Sequence, residues 1–347
     1  MRAVTFPESW RNTPFPDLLE EYLERLGVEF QKVGSDYLGV QWILQQRGQV
    51  NVMHFHFLQY HYLRDNALSS WFALLKFCFK ILLAKIVGYR IVWTMHNLLP
   101  HDREQGYLDH ACYYIFAHLS DSIITLCHNA NVLLGEKYGR RKHVFTGYHG
   151  HYCDSYPNEI DGAETRERLG IPPDTKVFLF FGNVKPYKGI EKLINAFHNL
   201  ENPDLCLIIV GRVTDLDYQS QILACIGKDY RIKTVLEWIP EKDVQLYFNA
   251  CDFVVLPFVE VMTSGSTILA LCFNRAVIAP AIGCLPEVIT PDTGILYDPA
   301  QPDGLLEAMR RCVVLDAARM GEGARQSVMR FTWEELAKVT MQAYQAG

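Results

Sequence analysis

At 347 residues the chain is too long for one typical core and about right for two α/β domains. A net charge of -6 argues against general nucleic-acid binding, and an apolar content of 49% without repeats or low-complexity segments is that of a globular protein. The ten cysteines lie mostly in apolar runs with no C-x-x-C pair, so they read as small buried hydrophobes in a reducing compartment rather than a disulfide frame or a zinc site.

The N-terminus, MRAVTFPESW, lacks the apolar core of a signal peptide and reads as a first strand, Arg2 to Phe6. That predicts a cytoplasmic protein. Further short apolar runs at Val50–Phe55, Arg90–Met95 and Ser122–Leu126 read as strands. Helical patterns separate them at Pro16–Leu26, Ala67–Val87, Tyr107–Leu119 and Asn129–Tyr138. Such alternation predicts parallel strands with crossover helices.

Histidines gather at the ends of these strands: His54 and His56, then His96 and Asn97 with His101 and Asp102, then His149 and His151. In an open α/β sheet those positions carry the ligand site. Histidine and carboxylate there suit hydrogen bonds to sugar hydroxyls or proton transfer. His54 and His56 share a strand face, an arrangement open to a metal, but no metal is expected.

From Asn66 through His101 the chain has no Asp or Glu. Inside this strip, Trp71 to Lys85 is apolar but broken by Lys76, Lys80 and Lys85. Lysines in hydrocarbon make it a poor membrane span. It reads equally as an interfacial helix, Lys76 and Lys80 sharing a face, or as a core helix with snorkelling lysines. Lys85 falls on roughly the opposite side.

Between Ser155 and Thr175, prolines and glycines sit among charged residues, the best candidate for an interdomain connection. The strand–helix rhythm then restarts. Continuous apolar runs at Val177–Phe181, Leu205–Val210, Phe253–Leu256 and Ala276–Ala279 suit strands covered on both faces. Helical patterns lie at Ile190–Leu200, Leu216–Ile226, Lys242–Ala250 and Ser266–Phe273.

Three loops of this half fit a phosphate. The first runs Gly182-Asn183-Val184-Lys185-Pro186-Tyr187-Lys188-Gly189, joining a strand to a helix with glycines for close approach and lysines for charge. The second, Gly211-Arg212, follows the next strand. The third, Thr263-Ser264-Gly265-Ser266-Thr267, opens an apolar helix whose free N–H groups and hydroxyls form a natural cradle for a diphosphate. Each has an ordinary structural reading, as surface lysines or a helix N-cap. Convergence of the three on one rim favours phosphate. No P-loop G-x-x-x-x-G-K-[ST] is present, and no G-x-G-x-x-G follows the first strand, so a P-loop ATPase and a dinucleotide oxidoreductase are disfavoured.

The segments FGNVKPYKGIEKLINAF (181–197), LIIVGR (207–212), FNACDFVVLP (248–257), TSGSTILAL (263–271) and VIAPAIGCLPEVI (277–289) resemble the donor half of GT-B glycosyltransferases, family 4 and its relatives. VMHFHF, WTMHNLLPHD and GYHGHY resemble a narrower group, the bacterial exopolysaccharide transferases of the xanthan-type, GDP-mannose-dependent β-mannosyltransferase kind. The resemblance implies an α/β fold of two Rossmann-like doubly wound domains facing across a cleft. It places an acceptor domain at 1–157, a nucleotide-sugar domain at 158–330, and a C-terminal helix at 331–347 that crosses back to the first domain.

It also implies roles. Lys188 would grip the donor diphosphate and the Ser264–Thr267 amides would cap it, with Gly182, Asn183, Lys185, Arg212, Gly265 and Ser266 around them. His54, His96, Asn97, His149 and His151 would hold acceptor or sugar. The chain departs from the pattern in two places. Many relatives have arginine where Asn183 stands, so Lys185 or Arg212 takes that charge. Many retaining relatives have a glutamate pair whose register falls here at Val261 and Leu269, with Glu260 one position off. The missing pair points to inversion. An inverting transfer needs a group to deprotonate the acceptor hydroxyl. Asp102, next to His101, is the first candidate; His56, Glu104 and Glu260 follow.

The expected activity is transfer of a hexose from a GDP- or UDP-sugar, GDP-mannose favoured, to a lipid-linked saccharide at the cytoplasmic membrane face, for exopolysaccharide or other cell-surface glycan. The donor is a substrate and no cofactor is called for. A retaining UDP-sugar transferase is the nearest alternative. A sugar-nucleotide epimerase or phosphorylase on the same fold, and a non-catalytic sugar-nucleotide-binding module, are the alternatives from other classes.

Overall fold

The computed structural model describes residues 1–8, 14–34, 38–98 and 106–346. The chain divides into two compact units, Met1–Gly150 with Phe331–Gly347, and His151–Arg330. His101, Asp102 and Glu104 lie outside the described residues.

The first unit runs β1 (Arg2–Phe6), α1 (Phe15–Arg25), β2 (Glu29–Phe30), α2 (Val40–Gln45), β3 (Val52–Phe55), α3 (Gln59–Tyr62), α4 (Ala67–Ile86), β4 (Arg90–Met95), α5 (Gly106–Leu119), β5 (Ser122–Thr125), α6 (His128–Tyr138) and β6 (Val144–Thr146). Its six strands are all parallel, in the order β2-β1-β3-β4-β5-β6. The strands β1, β3, β4 and β5 are buried on both faces, as parallel strands under helices must be.

In the second unit come α7 (Gly162–Arg168), β7 (Lys176–Phe181), α8 (Ile190–His198), β8 (Leu205–Val210), α9 (Leu216–Ile226), β9 (Ile232–Val235), α10 (Glu241–Ala250), β10 (Phe253–Val255), α11 (Gly265–Cys272), β11 (Ala276–Pro280), α12 (Leu285–Val288), β12 (Gly294–Tyr297), α13 (Gly304–Val313) and α14 (Ala317–Val328). The sheet is again six-stranded and parallel, ordered β12-β11-β10-β7-β8-β9. Its core joins Phe178 and Phe180 of β7 to Leu207 and Ile209 of β8, with Ile194 and Phe197 of α8 laid across them. The buried spacing Ile190, Leu193, Ile194, Phe197 is one helical stripe. Cys112, Cys206, Cys251, Cys272 and Cys312 are buried free thiols.

The last helix, α15 (Trp333–Gln345), belongs to the first unit and packs on α1, β4, β5 and β6. It begins as a capped helix should: the Thr332 side chain accepts from the Glu335 N–H at 3.2 Å. Trp333, Leu336, Ala337, Thr340, Ala343 and Tyr344 form its buried side.

Candidate functional site

In the second unit the three phosphate-type loops follow β7, β8 and β10, which are neighbours in the sheet. Backbone bonds lock the loops together: Gly182 N–H donates to Val210 O at 3.0 Å, and Val184 N–H to Arg212 O at 2.9 Å. Gly211 takes φ 144°, and a Cβ there would stand 1.9 Å from Gly182 O. Only glycine lets the two strand ends approach so closely. Gly189, at φ 71°, is in the same position against Pro257 O, 2.1 Å from where its Cβ would be.

Between these glycines Pro186–Lys188 forms one 3-10 turn that brings the Lys188 side chain back over the rim. Its ammonium lies 4.5 Å above the Phe258 ring and 5.3 Å from that of Tyr187. Among the described residues no carboxylate pairs with it. Burial, with Lys185 nearby, pushes its pKa down to about 8. A desolvated cation held over an aromatic face, without an acid, is suited to an anion arriving from outside.

The third loop ends in the start of α11. Ser264 is the N-cap, its Oγ accepting from Thr267 N–H at 3.1 Å. The Gly265 and Ser266 amides precede the first intrahelical bond and have no partner within the helix. The Ser266 hydroxyl sits against Gly182, 3.2 Å from where a Cβ would be, so the first and third loops meet. The Thr267 hydroxyl is buried and makes no hydrogen bond. Lys185 is half-buried, whereas Asn183, Arg212 and Glu260 are exposed.

The first unit carries a different chemistry. His54 ends a row of hydrogen bonds: Nδ1 to Tyr344 Oη at 2.8 Å, Nε2 to Thr94 Oγ1 at 2.7 Å. With both ring nitrogens committed inside the fold, His54 has none left for a metal or a sugar, which corrects its expected role as a sugar ligand. His56, two residues on, shares Nδ1 with His96 Nε2 at 2.9 Å. This contact follows from the register, because β3 and β4 are paired neighbours. The His96 ring stacks on Phe57 at 4.8 Å and meets the edge of Phe15 at 5.2 Å. His149 closes the group against Phe15 and Trp333, its Nδ1–H donating to Gly150 O at 2.8 Å.

Burial pushes the pKa of His54 and His96 down to about 3 and that of His149 to about 4; nearby histidines add to the effect at His96. All three are therefore neutral imidazoles at physiological pH. Asn97 is half-buried at the end of β4. His151 falls in the other unit; its Nδ1 accepts from Cys153 N–H at 3.4 Å. The Cys153 thiol lies 2.9 Å from that of Cys272, and this contact together with His151 draws its pKa down to about 5.

Phe15, Phe57, Thr94, Trp333 and Tyr344 are the members of the cluster that the sequence reading missed. Thr94 and Phe57 were within reach, as neighbours of the histidines on β4 and after β3. Tyr344 is 290 residues from His54, and no local pattern marks that pairing. Among the described residues no group of His, Cys, Asp or Glu could hold a metal ion.

Two parallel doubly wound sheets, one with glycine and lysine loops on neighbouring strand ends, define the GT-B class of glycosyltransferases. Residues 161–327 match the family "Glycosyl transferases group 1", and the comparisons support a hexosyltransferase. It is 29% identical over 269 residues to a GDP-mannose:glycolipid 4-beta-D-mannosyltransferase of Xanthomonas campestris pv. campestris, covering 75% of this chain and 72% of the relative. Its fold is similar to that of Anabaena Alr3699/HepE in complex with UDP (TM-score 0.74, 17% identity, 100% of both chains). It is also similar to a Rickettsia africae glycosyltransferase (TM-score 0.73, 15% identity, 99% of this chain and 97% of the other).

Proposed function

We propose that the chain transfers mannose from GDP-mannose to a lipid-linked saccharide with inversion at the sugar, in the synthesis of an exopolysaccharide or another cell-surface glycan. The observation that carries this reading is the set of loops after the neighbouring strands β7, β8 and β10, which present the capped start of α11 and Lys188 held over Phe258, with no carboxylate paired to it among the described residues. The named activity of the Xanthomonas relative supports mannose, the GDP donor and the glycolipid acceptor.

Lys188 and the Gly265 and Ser266 amides hold the donor diphosphate, with the Thr267 hydroxyl beneath and Asn183, Lys185 and Arg212 at the edge. As the glycosidic bond to the donor breaks, the leaving diphosphate gains negative charge, which the lysine and the helix start stabilise. The missing glutamates at Val261 and Leu269 support inversion. Asp102, beside His101, takes the proton of the acceptor hydroxyl; His56 and then Glu260 stand behind it. His96 and His149 serve as neutral hydrogen-bonding groups for sugar hydroxyls, together with Asn97. The acceptor is anchored in a membrane, and α4 meets the cytoplasmic face of that membrane.

The test supplies labelled GDP-mannose or UDP-glucose to the full chain with extracted lipid-linked saccharides. Label from GDP-mannose should pass to the organic phase and be released by β-mannosidase. Release by α-mannosidase would refute inversion, transfer from UDP-glucose alone would refute the donor, and label appearing only as free sugar would refute the acceptor.

A further inference from the structure

Helix α4 has two apolar sides. Leu74, Phe77, Ile81 and Ala84 pack inward, against α3, α5 and β4. Leu68, Trp71, Phe72, Leu75, Phe79, Leu82 and Ile86 form a second stripe that is exposed, Leu75 at 63% and Ile86 at 82%. The spacing is again helical, so the stripe is continuous along the 20 residues of the helix. Such a length of exposed apolar surface marks an interaction site. Lys85, the lysine that fitted neither side, is tied to Asp121 and to Leu119 O at 2.8 Å. The lysines left over, Lys76 and Lys80, both flank the stripe on one side.

A pocket of about 430 Å³ opens on that flank. Arg64, Ser69, Lys76 and Lys80 line it, Phe72 is shared with the exposed stripe, and the stacked rings of His61 and Phe77, 4.6 Å apart, lie behind. Among the described residues no carboxylate lines it. Among the described residues none pairs with Lys76 or Lys80. The Arg64 guanidinium is held by the carbonyls of Leu63 and His61, which fixes it at the mouth. The charges feel one another: burial first, then Lys76 and Arg64, pull the Lys80 pKa down. A bound anion relieves that repulsion.

We infer that this pocket seats the headgroup phosphate of an anionic membrane lipid whose acyl chains lie against the exposed stripe of α4. An apolar face at the acyl boundary with cations at headgroup depth is the arrangement of an interfacial helix. Charge complementarity selects the lipid: Arg64, Lys76 and Lys80 line the pocket with no carboxylate among the other described lining residues, which fits a phosphodiester in an anionic leaflet. The inference rests on the membrane contact proposed above and adds to it a specific lipid site.

Flotation of the full chain tests both levels. The probes are vesicles of phosphatidylcholine alone and of phosphatidylcholine with phosphatidylglycerol. Wild type should bind the phosphatidylglycerol vesicles preferentially. Lys76→Gln with Lys80→Gln should lower that binding on the order of 30-fold, roughly the worth of two cations near an anionic surface. Ala73→Phe fills the pocket without altering charge and should abolish the preference for phosphatidylglycerol. Circular dichroism checks that each variant is folded. Binding of both variants at the wild-type level, or equal binding of wild type to the two vesicles, would overturn the pocket and leave the membrane contact standing. Absence of binding to either vesicle would overturn the membrane contact and the pocket with it.

Discussion

The two units share one architecture, and their strand ends carry opposite chemistries. On the second unit, glycines bring backbone to backbone, an N-capped helix presents amides, and a lysine stands over Phe258 with no carboxylate paired to it among the described residues. On the first, histidines are buried among aromatic rings and hydrogen-bonded to one another, to Thr94 and to Tyr344. In the proposed transfer, one end receives charge and the other stays neutral. In a transferase these are the two needs, since the donor arrives as a diphosphate and the acceptor as an uncharged hydroxyl. The fold supplies the positions and the residues at the strand ends supply the difference.

The sharpest way to break the comparison is at Lys188. Lys188→Ala should lower kcat/KM by roughly 100-fold to 1000-fold, as loss of one preorganised charge-stabilising group does. Steady-state kinetics on the donor would show it, and a loss under threefold would mean the charge is received elsewhere. A pH series tests the same group. Donor affinity should fall as pH rises through about 8, where Lys188 loses its proton, and Lys188→Ala should flatten that limb.

The next test concerns the neutral end. His54, His96 and His149 have folded pKa values below the ordinary 6.5, so their stabilising contribution is full above that value and is lost as pH falls. A single histidine with a folded pKa near 3 should cost on the order of 3 kcal/mol by pH 4. Thermal melts between pH 7 and pH 4 should show this acid limb, and His54→Asn should make it shallower. An unchanged limb would mean His54 is not held neutral.

Gly211→Ala puts a Cβ against Gly182 O and should destabilise the second unit by about 2–3 kcal/mol. Chemical denaturation would measure it, and a loss under 1 kcal/mol would mean the loop junction is looser than described. The smallest expected effect is at Tyr344→Phe, which removes the hydroxyl bonded to His54 and should cost about 1–2 kcal/mol with donor affinity unchanged. A change in donor affinity there would erase the distinction between the two ends.

Much of this was legible in the sequence. The runs Arg2–Phe6, Arg90–Met95 and Leu205–Val210 are strands at those bounds, because continuous apolar runs need cover on both faces. The strands left unread are short or half-exposed: Glu29–Phe30, Val144–Thr146, Ile232–Val235 and Gly294–Tyr297. All carry β-formers, but partial exposure breaks the run that makes a strand visible. The three loops after β7, β8 and β10 were readable as strand-to-helix loops because glycine, lysine and a serine N-cap act locally. The histidine cluster was only half readable. Strand-end position revealed His56 and His96, but Phe15 comes from the first helix and Trp333 and Tyr344 from the last, both distant in sequence from the histidines. The two apolar sides of α4 explain why its sequence read equally well as core and as interface.

The most direct measurement of the central claim is calorimetric titration of the chain with GDP, GMP, UDP and UMP. A diphosphate received at the rim of β7, β8 and β10 predicts that one nucleoside diphosphate binds at least about tenfold tighter than its monophosphate, one charge-assisted contact being worth that much. It also predicts that Lys188→Ala erases the difference while His96→Ala preserves it. Equal affinity for diphosphate and monophosphate, or an undiminished difference in Lys188→Ala, would contradict it.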